Sequence, residues 1–120
     1  MARTCSKKTL KGTYLFAYEG FEIKNGNKVP FAVAGIEERD GKGKVKGVYS
    51  ANGPNTHNEK FSGEYDVNPD CTGTNTFLDD DSQYDMFIDP DGSEFTVVQT
   101  NSDFVASWTT KRVAGRRVED

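Results

Sequence analysis

Tight-turn sequences recur at short, even intervals along this chain, and the segments between them alternate apolar and polar residues. The turn signals include Asp40-Gly41-Lys42-Gly43, Asn68-Pro69-Asp70 and Asp89-Pro90-Asp91-Gly92, whose residue types suit β-hairpin connections. The clearest alternation runs from Phe61 to Asn68, where Phe, Gly, Tyr and Val occupy every second position. A two-residue period is typical of strands that bury one face. The chain is therefore predicted to be all-β, with consecutive strands joined as antiparallel hairpins.

Eight segments fit this pattern. The predicted strands are 13–19, 31–39, 44–50, 60–67, 72–78, 83–89, 94–100 and 104–111. Sequential hairpins bring the first and last strands side by side, and closure of the sheet removes both exposed edges. We predict a single domain over residues 1–120, an eight-stranded antiparallel up-and-down barrel, with an N-terminal arm over 1–11 and a flexible tail over 113–120. A two-layered sandwich is the alternative.

Hairpin alternation assigns the connections to two ends of the barrel. The tight turns at 41–43, 68–70 and 90–93 share one end, which we call the base. The other end, the mouth, receives the remaining connections, 20–28, 51–58, 79–82 and 101–103. Within 20–28, the run Phe21-Glu22-Ile23-Lys24 is compatible with one helical turn. The barrel is thus predicted to have a loop-rich mouth and a closed base.

The two cysteines, Cys5 and Cys71, both fall at the base. We predict a disulfide between them, with buried free thiols as the alternative. Neither cysteine belongs to a metal-binding pattern, so no metal site is predicted. A disulfide implies an oxidising compartment, and the expected location is secreted or periplasmic. Met1-Ala2-Arg3-Thr4 has no apolar signal-peptide core, as expected if a start codon replaced the leader of a mature secreted domain.

Charge and apolar content argue against several classes of function. The net charge is −4 and the isoelectric point is about 5.0, so a nucleic-acid surface is not expected. The longest apolar run, 31–36, is far shorter than the roughly 20 residues of a membrane-spanning helix. The chain has one histidine and neither a nucleophile-elbow nor a phosphate-loop motif, which argues against hydrolysis and nucleotide binding. No cofactor is predicted.

The inner face of the predicted barrel is rich in aromatic residues and glycines. Glycines at 35, 47, 63 and 73 remove side-chain volume, so a ligand cavity is predicted, with a filled core as the alternative. An apolar cavity with a few polar groups is typical of a small-molecule site. The candidate stacking residues are Tyr14, Tyr18, Tyr49, Tyr65, Tyr84 and Trp108. The groups expected to orient the polar end of a ligand are Asn75, Gln99 and Glu37.

Other titratable residues are weaker candidates. Glu37 is the only carboxylate on the predicted inner face, which makes it the candidate catalytic acid or base. His57, in the predicted mouth loop, is expected to be solvated. The acidic clusters at 79–81 and at Asp89 and Asp91 flank the sixth strand, roughly 20 Å apart, so they cannot form one site. We expect solvated turn carboxylates rather than calcium ligands.

The segment Leu10-Lys11-Gly12-Thr13-Tyr14 resembles the Gly-x-Trp motif on the first strand of lipocalins, with Tyr14 in place of tryptophan. In that family a basic residue after the last strand packs over the aromatic ring, and Arg112 is suitably placed. From Cys5 to Val113 the chain also resembles small secreted bacterial proteins of unassigned function. The residues that carry this second resemblance are Cys5, 10–14, Pro30-Phe31-Ala32, 63–68 and 70–74. A similar compact barrel occurs in allene-oxide-cyclase-like enzymes, where an apolar cavity folds a reactive polyene. These resemblances imply an architecture and no catalytic residue.

Three functions are compatible with this sequence. The leading hypothesis is binding of a small hydrophobic or aromatic molecule in the barrel lumen. The second is a cyclase or isomerase that folds a flexible substrate in the same cavity, with Glu37 as its acid or base. The third is a surface or interaction protein with a filled barrel. For that function Ala32, Ala34 and Ile36 form an outer stripe, through which the strand at 31–36 is predicted to support a homo-oligomer.

Overall fold

The computed structural model describes residues 4–52, 56–78, 82–101 and 103–114. A one-turn 3-10 helix, Lys7–Leu10, precedes eight strands. The strands are β1 (Lys11–Lys24), β2 (Asn27–Asp40), β3 (Lys44–Ala51), β4 (Thr56–Val67), β5 (Thr72–Phe77), β6 (Gln83–Ile88), β7 (Glu94–Gln99) and β8 (Phe104–Val113). They form a closed barrel in sequence order, and β8 pairs back with β1. All pairings are antiparallel, so the predicted up-and-down barrel is confirmed and the sandwich is excluded.

The alternation of residues in the sequence determines which side chains point into the barrel. In β6, Tyr84, Met86 and Ile88 are buried, and the residues that alternate with them are exposed. Two aromatic side chains, Phe21 and Phe87, lie on the outer surface. Within the described ranges, no helix has the length and apolar character needed to cross a bilayer.

The largest departure from the predicted strands is the connection between β1 and β2. Each of these strands is fourteen residues long, and they pair out to Lys24 and Asn27. The predicted loop at 20–28, with its helical turn, is therefore wrong. Asn25 and Gly26 close the hairpin with φ angles of 51° and 79°. A type I′ turn requires positive φ at both central residues, and Asn-Gly is the residue pair that best accepts it.

The tip of this hairpin extends past the rest of the barrel. Pairing of β2 with β3 ends at Val33 and Ala51, whereas pairing of β2 with β1 continues to Asn27 and Lys24. The mouth is therefore bordered on one side by a two-stranded ribbon rather than by a loop. At the opposite end of the chain, β8 ends at Val113, inside the range predicted as a tail, and residues 115–120 lie outside the described ranges.

The N-terminal segment closes the base. Cys5 and Cys71 are joined by a disulfide, as predicted. The Tyr65 hydroxyl donates to the carbonyl oxygen of Leu10 at 3.0 Å and accepts from the Gly41 N–H at 2.9 Å. Burial raises the pKa of Tyr65, so this hydroxyl remains a neutral donor at physiological pH. The Leu10 side chain is completely buried beneath the barrel. The base is therefore a closed, hydrogen-bonded floor.

Tyr14 and Arg112 form a second link at the base. The Tyr14 hydroxyl donates to the Gly92 carbonyl oxygen at 2.6 Å and accepts from the Arg112 guanidinium at 3.2 Å. That guanidinium lies 5.6 Å from the centre of the Tyr14 ring and also donates to the Thr9 carbonyl oxygen at 3.0 Å. Burial raises the pKa of Tyr14, although the nearby Arg112 opposes the shift. The contact between a basic residue and the first-strand aromatic, which the resemblance implies, is present.

Candidate binding cavity

The lumen is packed toward the base and hollow toward the mouth. The packed half is a cluster of buried side chains that includes Leu10, Tyr14, Val45, Tyr65, Val67, Met86, Ile88, Phe95 and Val97. Above it lies a cavity of about 510 Å³. Small-molecule sites usually measure about 300–1,000 Å³. The predicted cavity is thus present in the mouth half. The alternative, a filled core, describes the base half.

Aromatic rings make up most of the cavity wall. Of the seventeen lining residues, nine are aromatic. They are Phe16, Tyr18, Phe31, Tyr49, Phe61, Phe77, Tyr84, Phe104 and Trp108. Trp108, the only tryptophan in the chain, stacks on Tyr18 with 3.8 Å between ring centres, and the Tyr84 ring meets it edge-on at 5.4 Å. Such ring-to-ring packing holds the wall in place before any ligand arrives.

Glycines on the inner face allow several of these rings to lie flat against the barrel wall. Gly35 is directly opposite Phe16 in the β1–β2 register, and a Cβ at Gly35 would lie 2.6 Å from Cζ of that ring. The same relation recurs at two more cross-strand pairs, Gly47 with Phe61 and Gly63 with Phe77. We expected these glycines to leave space themselves. Instead the neighbouring ring occupies that space, and the hollow lies along the barrel axis.

Adding a methyl group at Gly35 should therefore disturb both the wall and the hollow. The new Cβ would meet the Val48 carbonyl oxygen as well as Phe16. We expect Gly35→Ala to lower the free energy of unfolding by about 1–3 kcal/mol, measured by denaturant titration. Ala34→Val, one position along the strand on the exposed outer side, is the control and should change it by less than about 0.5 kcal/mol. Equal effects of the two variants would contradict this role of the glycine.

A buried ion pair separates the cavity from the packed half. Glu37 and Arg39 are 4% and 3% exposed, and the Arg39 Nε donates to Glu37 Oε2 at 2.5 Å. The guanidinium carbon of Arg39 lies 4.9 Å from the centre of the Tyr65 ring on β4 and 4.8 Å from that of Phe95 on β7. Because these rings belong to strands well separated around the barrel, the guanidinium of β2 reaches across the lumen. Glu37 sits on the cavity side of this partition and lines the cavity.

The structure brings six of the nine predicted lumen residues onto the cavity wall. These six are Glu37, Tyr18, Tyr49, Tyr84, Gln99 and Trp108. Tyr14 and Tyr65 point inward but lie in the packed base, where their hydroxyls bind backbone groups. Asn75 is also buried and lies opposite Tyr84 in the β5–β6 register, but it is not among the residues that line the cavity.

Sequence reasoning missed three groups of residues at this site. Five phenylalanines line the wall although only tyrosines and the tryptophan were singled out. At the rim, Glu22 and Lys24 line the cavity and pair at 3.6 Å, in the segment that was predicted to be a loop. Arg39 shares the inner face with Glu37, and the two-residue period of β2 was the signal that could have identified it.

Two buried polar atoms on the inner face of the barrel have no hydrogen-bond partner among the described residues. They are Nη1 of Arg39, a donor, and Oδ1 of Asn75, an acceptor. An unpaired buried polar atom usually costs about 1–3 kcal/mol. Stability of the core alone therefore does not explain why Arg39 and Asn75 occupy these buried positions.

The remaining candidates lie elsewhere. His57 is exposed on β4, which begins at Thr56, so it is not in the predicted loop. Asp89 and Asp91 accept backbone N–H groups within their own turn, as expected for turn carboxylates. The acidic run at 79–81 lies outside the described ranges. Among the described residues, no cluster of three or more His, Cys, Asp or Glu side chains is arranged to hold a metal ion.

In comparisons with known proteins, no family model and no curated protein matches this chain.

Proposed function

We propose that this protein binds a small hydrophobic or aromatic molecule in the mouth half of its barrel. The observation that carries this proposal is the cavity of about 510 Å³, whose wall holds nine aromatic residues and a buried carboxylate. Apolar walls with a few fixed polar groups are characteristic of small-molecule sites. A core that served stability alone would fill such a volume, because unfilled space costs packing energy.

The architecture at the base supports a lipocalin-like carrier. The barrel is closed at one end by the N-terminal segment, and Arg112 packs on the ring of Tyr14 as the resemblance implies. The disulfide between Cys5 and Cys71 supports a role in an oxidising compartment, secreted or periplasmic. A ligand would enter from the mouth, because the packed half blocks the base.

An enzymatic use of the same cavity remains the second candidate, since Glu37 lines it. The ion pair with Arg39 makes this carboxylate better suited to accepting a hydrogen bond than to donating a proton. Binding therefore explains the geometry with fewer requirements than a cyclase or isomerase.

The homo-oligomer through 31–36 stays a prediction. On that strand Ala34 is exposed, while Ile36 is only 9% exposed.

Filling the cavity tests this function directly. Ala51 lies on the cavity wall, and Ala51→Trp places a large ring in the hollow. Ala34→Trp adds the same ring to the outer surface and is the matched control. Indole, quinoline and benzofuran serve as probes, with binding measured by calorimetry and by thermal unfolding.

We expect the wild type and Ala34→Trp to be stabilised, by about 2.7 kcal/mol when a free probe reaches a hundred times its dissociation constant. Ala51→Trp should weaken binding at least about tenfold, equivalent to about 1.4 kcal/mol. If the wild type binds none of the three probes, or if the two tryptophan variants bind equally well, the proposed function is wrong.

A further inference from the structure

Polar groups are unevenly distributed along the depth of the cavity. β2 runs from the mouth to the base, and its inward residues Val29, Phe31 and Val33 line the upper wall. Glu37 is the deepest residue that this strand contributes to the cavity. The charges of Glu22 and Lys24 lie at the rim, where they face solvent and each other. A molecule that passes the aromatic walls therefore meets a carboxylate at the floor.

The floor presents a hydrogen-bond acceptor. An ionised carboxylate has no proton to donate, and its pairing with the Arg39 guanidinium holds it in a defined orientation. Arg39 itself does not line the cavity, and its unpartnered Nη1 is buried. A ligand thus contacts the Glu37 side of the pair. Because the two charges of the pair cancel, the floor does not require a positively charged ligand.

Resting on the proposed function, we propose that the ligand class is a neutral aromatic molecule that carries an N–H or O–H donor, as in indoles and phenols. It binds with its donor toward Glu37 and its ring between the aromatic walls. A plain hydrocarbon would cover the carboxylate without offering it a hydrogen bond. A ligand with its own carboxylate at this end would bring two negative charges together.

Indole and benzofuran form a matched pair for testing this selectivity. They have nearly the same size and shape, but indole has an N–H where benzofuran has an oxygen. Benzofuran is the less polar of the two, so transfer out of water alone favours benzofuran. We expect the wild type to bind indole about tenfold more tightly than benzofuran, because a hydrogen bond to a charged acceptor is among the stronger ones. 1-Methylindole, which lacks the donor, should bind no more tightly than benzofuran.

Replacing the ion pair as a unit tests the role of Glu37 without leaving a lone buried charge. The double variant Glu37→Leu with Arg39→Met should bind benzofuran at least as well as indole. The control Glu38→Gln changes the adjacent residue, which faces Lys46 on the outer surface, and should keep the preference for indole. The preference of each protein is the ratio of its dissociation constants for benzofuran and indole, measured by calorimetry.

The outcomes separate this inference from the proposed function. Equal affinity of the wild type for indole and benzofuran overturns the donor requirement but leaves cavity binding intact. A preference for indole that persists in the double variant overturns the role of Glu37. Failure of all probes to bind overturns the proposed function itself. If the double variant does not fold, the relative affinities of the wild type for indole, benzofuran and 1-methylindole test the donor requirement.

Discussion

Arg39→Met should lower the free energy of unfolding by about 3–5 kcal/mol, the usual cost of leaving one member of a buried ion pair without its partner. Arg39 is 3% exposed, and its removal strands the Glu37 carboxylate at the floor of the cavity. It also removes the cation that lies between the rings of Tyr65 and Phe95. Denaturant unfolding monitored by circular dichroism measures this loss.

The double variant Glu37→Leu with Arg39→Met is the control for this prediction. It removes both charges and should be close to the wild type in stability or above it, since apolar replacements of buried pairs are often neutral or stabilising. Equal destabilisation of the single and double variants would show that the lost packing, and not the stranded charge, is responsible.

Breaking the disulfide should have an effect of similar size. Cys5 and Cys71 are 66 residues apart, and closing a loop of that length contributes about 4 kcal/mol in the chain-entropy description. Cys71→Ser should therefore lower the free energy of unfolding by about 4 kcal/mol, and the reduced wild type should lose a similar amount. The N-terminal segment would separate first, because the lost bond is the one that joins its Cys5 to the barrel at Cys71.

Chemical denaturation of the oxidised, reduced and Cys71→Ser proteins provides the measurement. Reduction should not alter the stability of Cys71→Ser, which makes that variant its own control for side effects of the reductant. A loss below about 1 kcal/mol in both reduced wild type and Cys71→Ser would mean that the floor is held mainly by its hydrogen bonds. The Tyr65 and Arg112 contacts with the N-terminal segment are the bonds in question.

The barrel itself could be predicted because two-residue periodicity specifies the face of each strand, and turn residues specify its ends. The pairing of the first two strands was predicted, but their extension through 20–28 was missed although Asn25-Gly26 is a strong turn signal. The polar residues near Phe21 and Ile23 resembled a helical turn, but the pairing of two long strands outweighed that local pattern. A four-residue pattern is weaker evidence for a helical turn than Asn-Gly is for a hairpin, because few residue pairs accept the two positive φ angles of a type I′ turn.

The depth of each inward side chain within the barrel could not be predicted from the sequence. Periodicity places Tyr14, Tyr18 and Tyr65 on the inner face alike, but the level of each depends on how neighbouring strands are staggered. Tyr14 and Tyr65 therefore joined the packed base, while Tyr18 joined the cavity wall. The flat placement of Phe16 on Gly35 likewise follows from a cross-strand register that one strand alone does not reveal.

Nuclear magnetic resonance titration of the ¹⁵N-labelled protein with unlabelled indole tests most directly whether the mouth half of the barrel is a binding cavity. The single side-chain indole N–H signal of Trp108 and the amide signals of Val33 and Ala51 should shift together and saturate. The amides of Val67 and Ile88, in the packed base, should stay in place. An unchanged Trp108 signal, or shifts confined to the outer surface near Val98 and Val105, would contradict binding in the lumen.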